Sequence, residues 1–303
     1  MKKLALVIAL AAAASAAQAV EVYGTLDAGF QHLSDSTNDI NLISSGVSND
    51  SLIGIKAGED LGSGLRASAV LEAGVAVDSG ATGTGQLFNR ESSLGLSMGS
   101  SSLKIGRTMT NSRIAQKQFD VFAGAKTGFS RNLMDTNGNY LNNSVVYNYG
   151  SNGITASAQH AFGEQVNGGF SNGSTDSLAV GYAAGPLAGS LTYERVDQGA
   201  RTTTLGASYD FTAAKVSVLA QSASQSALDN NFLVGVKAPI TGALTAMASY
   251  GHLKLTNVDQ RVNAYTLGGE YSMSKRTQAY ASVGRIDGGS SVDQFSAGIR
   301  HSF

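Results

Sequence analysis

The chain has 303 residues, with no Cys, no Trp, 2 Pro and 37 Gly. Charged residues make up only 14%, against roughly 25% in an average soluble domain, and Ser, Thr, Asn, Gln and Gly take their place. Such a chain is polar without being ionic, which suits a sheet with one wet and one greasy face and not a helical soluble enzyme; at a formal net charge of −1 no basic stripe argues for nucleic acid.

The first 19 residues read as an export signal. Lys2 and Lys3 form a positive start, Leu4 to Ala17 is apolar, and Ala17-Gln18-Ala19 is a small-x-small cleavage site. The apolar stretch is too short to span a bilayer. Cleavage after Ala19 leaves residues 20–303 as one domain, and loss of the two lysines takes the charge from −1 to about −3. That domain has no apolar run long enough for a membrane helix, so a membrane location requires a closed barrel, the other structure that satisfies its backbone internally.

A period of 2 runs through almost the whole of this domain. Near the end Phe295, Ala297, Ile299, His301 and Phe303 alternate with Gln294, Ser296, Gly298, Arg300 and Ser302; Leu205, Ala207, Tyr209 and Phe211 alternate with Thr204, Gly206, Ser208 and Asp210. Strict alternation makes one face apolar and the other polar. It predicts sixteen strands, near 20–32, 51–60, 64–77, 86–98, 102–107, 143–150, 153–162, 177–184, 187–196, 202–211, 214–223, 231–238, 243–252, 263–272, 276–286 and 293–303. Most have about the ~9–11 residues that a tilted membrane strand needs.

The connections alternate long and short. Leu61-Gly62-Ser63, Gly99-Ser100-Ser101, Gly185-Pro186 and Thr212-Ala213 are short; 33–50, 108–142, 163–176 and 253–262 are long. Membrane barrels pair short periplasmic turns with longer external loops, have an even strand number, and carry aromatic girdles at both interfaces. Tyr23, Phe30, Tyr149, Phe162, Tyr193, Phe211, Tyr250, Tyr271 and Phe303 are placed to form such girdles. The fold class is therefore all-β, a 16-stranded antiparallel transmembrane barrel.

Several segments carry a family resemblance. They are Val22-Tyr23-Gly24-Thr25-Leu26-Asp27-Ala28-Gly29, Ile53-Gly54-Ile55-Lys56, Glu59-Asp60-Leu61-Gly62-Ser63-Gly64-Leu65-Arg66-Ala67, Leu71-Glu72-Ala73-Gly74, Leu87-Phe88-Asn89-Arg90, Leu103-Lys104-Ile105-Gly106-Arg107, Asn143-Ser144-Val145-Val146-Tyr147, Ser274-Lys275-Arg276-Thr277 and the ending Gly298-Ile299-Arg300-His301-Ser302-Phe303. In order and spacing the chain resembles the general diffusion porins of Gram-negative outer membranes, most closely the betaproteobacterial type. The resemblance implies a homotrimer among outer-membrane lipids and lipopolysaccharide, a third loop folded into the lumen, passive passage of small hydrophilic solutes, and a terminal aromatic, Phe303, read by the barrel-assembly machinery. No cofactor is implied.

In that family, basic side chains on the wall face acidic ones on the inward loop. The long connection 108–142 is the matching segment. Alternation puts Lys56, Arg66 and Glu72 on the polar face. Arg90 matches an eyelet arginine of the family, yet simple parity puts it with Leu94 and Leu96, so a bulge intervenes, those leucines face inward, or the match fails. Arg107 opens the connection, Arg113 lies inside it, and Asp120 is the candidate loop carboxylate. Leu52 stands where the family often has Arg, and Arg113-Ile114 where it often has an acid. The segment holds Arg113, Lys117, Lys126 and Arg131 against Asp120 and Asp135, a net of +2, which predicts a weak anion preference. A substrate-specific channel with a lumen binding site is the alternative.

Enzyme signals are weak. Gly95-Leu96-Ser97-Met98-Gly99 fits G-x-S-x-G, but the pattern around it is strand, turn, strand, whereas a nucleophile elbow needs strand, turn, helix. His32, His160, His252 and His301 are scattered, without metal-ligand spacing.

Overall fold

Successive side chains of a strand point to opposite faces, so a period-2 sequence makes a two-faced ribbon that must hide one face. The structure, a computed structural model, describes residues 20–303 except 83–84, 128–132, 137, 165–171, 227 and 257–259. The expected leader, 1–19, and Arg131 lie outside the described residues. Among the described residues the strands are β1 (Glu21–Ser34), β2 (Asp39–Ser45), β3 (Leu52–Gly62), β4 (Leu65–Gly74), β5 (Ser92–Met98), β6 (Ser101–Met109), β7 (Tyr140–Ser151), β8 (Ile154–Ala161), β9 (Thr175–Ala184), β10 (Leu187–Val196), β11 (Arg201–Asp210), β12 (Lys215–Ser224), β13 (Asn230–Pro239), β14 (Leu244–Leu255), β15 (Gln260–Ser272), β16 (Thr277–Asp287) and β17 (Ser291–Ser302).

From β3 onward each strand pairs antiparallel with the next, and β17 returns to β1 over Thr25↔Ser302 to Ser34↔Asp293. Phe303 completes the seam: its N–H donates to the Gly24 carbonyl at 3.1 Å and its carbonyl accepts from Gly24 N at 3.0 Å. β2 and β3 share one wall position, because β2 pairs with the Ala28–Ser34 half of β1 and β3 with the Glu21–Thr25 half. The seventeen strands thus make a closed antiparallel barrel with sixteen wall positions. One departure from the sequence reading is that 33–50 contains β2. Asp39 and Asn41 beside Ile40, Leu42 and Ile43 read as loop residues, whereas the long β1 offers them a pairing edge.

The barrel is inside-out relative to a soluble protein. Leu94, Leu178 and Leu267 are 60–62% exposed, while Ser177, Thr192, Thr204 and Ser296 are buried at 2% or less. Apolar outside and polar inside is the arrangement a lipid solvent selects. Seven of the expected girdle aromatics, Phe30, Tyr149, Phe162, Tyr193, Phe211, Tyr271 and Phe303, are exposed on the outer face. Tyr23 is a correction: it stands opposite Gly54, its ring fills the space a Cβ there would need, and its hydroxyl donates to Glu72 at 2.7 Å. Turns at one end are tight. Asn152 and Gly153, with φ of 51° and 79°, form the two-residue turn between β7 and β8, the mirror-image geometry that matches strand twist.

Candidate functional site

The connection between β6 and β7 is where regular alternation stops. Its helix α1 (Asn111–Phe119) begins at Thr110, whose hydroxyl accepts from Arg113 N at 3.2 Å. The first turn has no acid of its own. The wall supplies one: the carboxylate of Glu194 on β10, fully buried, accepts from Ser112 N at 2.6 Å. A negative charge at a helix N-terminus complements the helix dipole. Asp120 ends the helix, with its carboxylate accepting from Phe122 N at 3.0 Å and Gly124 N at 2.6 Å. The expected loop carboxylate therefore caps the connection's own backbone.

One flank of the connection docks by shape. Phe119, Leu133 and Met134 pack with Leu219, Leu233 and Leu253, three leucines on the otherwise polar face of β12, β13 and β14. Between them inward glycines leave slots. A Cβ on Gly206 would sit 2.2 Å from Phe119 Cδ2, and one on Gly251 would sit 2.2 Å from Leu133 Cδ1. Val121 fills the same kind of slot at Gly235. Burial of each large apolar side chain contributes about 1.5–3 kcal/mol. Gln221 adds polar pairing, donating to the Asp135 carbonyl at 2.7 Å and accepting from Asp135 N at 2.8 Å.

The other flank meets charge. Asp27, fully buried on β1, holds the segment after β2: its carboxylate accepts from Val47 N at 2.8 Å, Asn49 N at 3.0 Å and the Tyr280 hydroxyl at 2.9 Å. That places Asp50, which meets Arg90 at 3.2 Å, Lys117 at 3.3 Å and Arg113 at 3.5 Å. Arg90 also reaches Glu72 at 3.4 Å. The parity conflict at Arg90 is resolved by a bulge. Glu72 N donates to the Glu91 carbonyl at 2.7 Å while the Glu72 carbonyl accepts from Arg90 N at 3.3 Å, so two consecutive residues oppose one. Arg90 turns inward beside Glu91, and Leu94 and Leu96 stay outside. Burial holds the Lys117 ammonium below the usual lysine range; Asp50 opposes this, and the Arg113 and Arg90 charges add to it.

Arg107 sits at a second bulge, between Gly106 and Thr108. It donates to the Asn89 carbonyl at 2.8 and 3.0 Å and to Asn142 Oδ1 at 2.6 Å. Both guanidiniums lie against the Tyr140 ring, that of Arg90 5.3 Å and that of Arg107 5.5 Å from its centre. Arg113 is almost fully buried within the connection, bonded to Gln116 and, at 3.2 Å, to the Gly124 carbonyl. The structure thus brings Glu72, Arg90, Arg107 and Arg113 into one neighbourhood. Lys56 and Arg66 lie on the same face nearer the short turns: Lys56 pairs with Glu21 at 3.0 Å and Arg66 stands opposite Asp60. Among the described residues no hydrogen bond or ion pair joins either to the connection.

Sequence reasoning counted Lys117 only within the net charge of the connection, and gave no site role to Asp50, Tyr140, Asp27 and Glu194. Asp27 and Glu194 left a signal, as acids inside alternating strands. The leucine dock left one too, in the adjacent apolar pairs Val218-Leu219 and Phe232-Leu233 that break the period of 2. Gly95 to Met98 lie in β5, which runs through a tight turn into β6, so Ser97 has no elbow geometry. Among the described residues no cluster of ligating side chains could hold a metal.

Comparison with known proteins places this architecture. A family model described as Gram-negative porin matches residues 4–291. The chain is 29% identical to outer membrane porin protein 32 of Delftia acidovorans over the full length of both chains. Its fold superimposes on an anion-selective porin from Comamonas acidovorans with a TM-score of 0.84 at 24% identity, covering 95% of this chain and 100% of that one. It also superimposes on OmpT of Vibrio cholerae in a trimer form, with a TM-score of 0.72 at 17% identity, covering 95% and 100%. The chain belongs to the Gram-negative porins, β-barrel pores of the outer membrane through which small solutes diffuse passively.

Proposed function

We propose that the chain is an anion-preferring diffusion channel and not a catalyst, narrowed by the 110–139 connection lying inside the lumen. The observation that carries the sign is the charge balance on one flank. Arg90, Arg113 and Lys117 gather around two carboxylates, Asp50 and Glu72, with Arg107 beside them against the Tyr140 ring, while Asp120 is engaged by backbone N–H groups. Arg107 has only neutral oxygens as hydrogen-bond partners among the described residues. At ~0.15 M salt, exposed charges are screened beyond about 8 Å, so these cations outweigh the net acidity of the mature chain at the narrowest point. The anion selectivity named for the Comamonas porin supports the same sign.

The test is planar-bilayer recording of refolded protein in a salt gradient. A zero-current potential of anion-selective sign is expected, and Arg107→Glu should move it toward cations. A cation-selective potential in the unmodified protein would overturn the sign and leave the pore intact.

Under the same reading residues 1–19 are cleaved on export, the short turns face the periplasm, and the protein assembles as a homotrimer, as the Vibrio cholerae neighbour's trimer form supports. Phe303 serves as the assembly signal. Its backbone pairing with Gly24 at the seam supports the role, since an unclosed barrel exposes strand edges. Deletion of Phe303 should lower the folded, heat-modifiable fraction in cells.

A further inference from the structure

On the short-turn side of the connection the barrel has two unlike walls. From β13 to β17 the polar face carries Lys237, Glu270, Lys275, Arg276 and Arg300. On the opposite strands of the ring, between α1 and the inner face of β6 to β10, lies a cavity of about 530 Å³. None of the residues lining it is charged, and its lining reaches the short turns at Gly99 and Gly153. We propose that this cavity is a binding site for neutral polyhydroxylated solutes, that is, small saccharides and polyols, held between the connection and the short-turn mouth. The proposal rests on the lumen reading of the connection and adds a solute class to it.

Unused hydrogen-bonding groups come first. Thr192 on β10 lines the cavity at 1% exposed, and its hydroxyl has no hydrogen-bond partner among the described residues. The Ser157 and Ser190 hydroxyls of the same wall are buried and also without a partner. Buried hydroxyls in native proteins are nearly always paired, so three unpaired ones on one wall point to a missing guest. The amides of Asn148 on β7 and Gln118 on α1 have no partner either among the described residues, and both line the cavity. Asn111 spends its Nδ2 on Ser177 at 2.9 Å, which leaves its Oδ1 unused. Amides and hydroxyls each offer both a donor and an acceptor. So does every hydroxyl of a sugar or polyol, and the match needs no net charge on either side. A carboxylate only accepts, and would leave the acceptor oxygens of this wall unanswered.

Shape comes second. Ile114 projects from α1 into the same cavity and is 46% exposed there, an apolar side chain among amides and hydroxyls. A pyranose ring has apolar C–H faces and a polar edge. One face laid on Ile114 removes apolar area from water, while the edge hydroxyls reach the amides and the wall. Preorganisation comes third. The Glu194 carboxylate holds the start of α1 through Ser112 N at 2.6 Å, and Phe119 docks its end. The helix side of the site is therefore fixed, and the strand side is barrel wall. A guest does not have to order either, which lowers the cost of binding. A volume near 530 Å³ lies within the range of ligand pockets, about 300 to 1,000 Å³, and suits a mono- or disaccharide.

The probe is sucrose, added during single-channel recording in potassium chloride. The reference is a short polyethylene glycol at equal bulk conductivity, which fills volume but offers few hydroxyls. Sucrose should lower the conductance saturably and beyond the glycol. The double variant Gln118→Met/Thr192→Val keeps side-chain size and removes one amide and one hydroxyl. It should raise the half-saturating sucrose concentration by about tenfold and leave the zero-current potential in a salt gradient unchanged. Lys275→Gln, on the opposite wall, should leave the sucrose concentration unchanged. Liposome swelling gives a second reading: the rate should level off as the sucrose gradient rises for the unmodified protein, and level off later for the double variant. Conducting steps with a sucrose effect equal to that of the glycol, or indifferent to the double variant, would overturn the site and leave the pore standing. Absence of conducting steps in the unmodified protein would overturn the pore reading and the site with it.

Discussion

The two flanks of the 110–139 connection meet the barrel by different physics. Toward β11 to β14 the contact is neutral: Phe119, Val121 and Leu133 enter spaces left by Gly206, Gly235 and Gly251, over a floor of Leu219, Leu233 and Leu253. Toward the segment after β2 and the Arg90 bulge it is ionic, with Asp50 drawing together Arg90, Arg113 and Lys117. Apolar packing is short-ranged and intolerant of a single methylene, so it fixes position. Partly solvated charge tolerates small displacements and projects a field, so it sets the sign of what passes. Position and selectivity are therefore separable by mutation.

The largest effect is expected on the neutral flank. Phe119→Ala removes a buried ring, a change that costs about 3–5 kcal/mol in well-packed cores. Here the loss falls on the docking of the connection, so a larger, noisier single-channel conductance is expected, with a lower temperature of heat modification. Gly206→Val puts new atoms into the same ring and should disturb conductance in the same direction. Phe119→Ala and Gly206→Val combined should recover part of both losses, because the added side chain refills the vacated space. If the double variant conducts worse than each single one, the slot is not what holds the connection.

Asp50→Asn should act mainly on selectivity. It leaves Arg90 with Glu72 and removes the carboxylate charge that Lys117 and Arg113 meet at Asp50. The zero-current potential should move further toward anions. The stability loss should be smaller than for Phe119→Ala, since Arg90 keeps Glu72 and Arg113 keeps Gln116 and the Gly124 carbonyl. A shift toward cations would show that Asp50 is not part of the field that permeating ions feel.

This separation also explains how much the sequence disclosed. Alternation revealed the wall, because a closed barrel imposes a period of 2 on every strand and lipid demands apolar residues on the outer positions. β2 was hidden only by its Asp and Asn residues. The 110–139 connection was harder to read. Arg90 could be placed only by the bulge, which parity counting cannot see until the Glu72–Glu91 register is known. Asp120 looked like a lumen acid because it lies in the long connection, yet its oxygens close the turn after α1. Asp50 looked like an external loop residue because the Asp27 carboxylate that pulls its segment inward acts across 23 residues of chain. Long-range hydrogen bonds leave no periodic trace. Adjacent apolar residues on β12 and β13 do leave one, and they mark where the dock lies.

The smallest expected effect sharpens the ionic flank through pH. Lys117 is held below the ordinary lysine range chiefly by burial, with the neighbouring Arg113 and Arg90 charges adding to the depression and Asp50 opposing it. A cationic group with a lowered pKa loses its proton at a lower pH than an exposed lysine does. As pH rises through the alkaline range, Lys117 therefore neutralises at a lower pH than an ordinary exposed lysine would, and the arginines stay charged. One of the four cations on this flank disappears while Asp50 and Glu72 remain, so the anion preference should decline with rising pH, beginning below the ordinary lysine range. Lys117→Arg keeps the charge throughout that range and should flatten the decline; Lys117→Met should show the reduced preference already at neutral pH. Zero-current potentials recorded across an alkaline pH series for the three proteins decide it. Parallel curves for the unmodified protein and Lys117→Arg would mean that the field is set by the arginines alone.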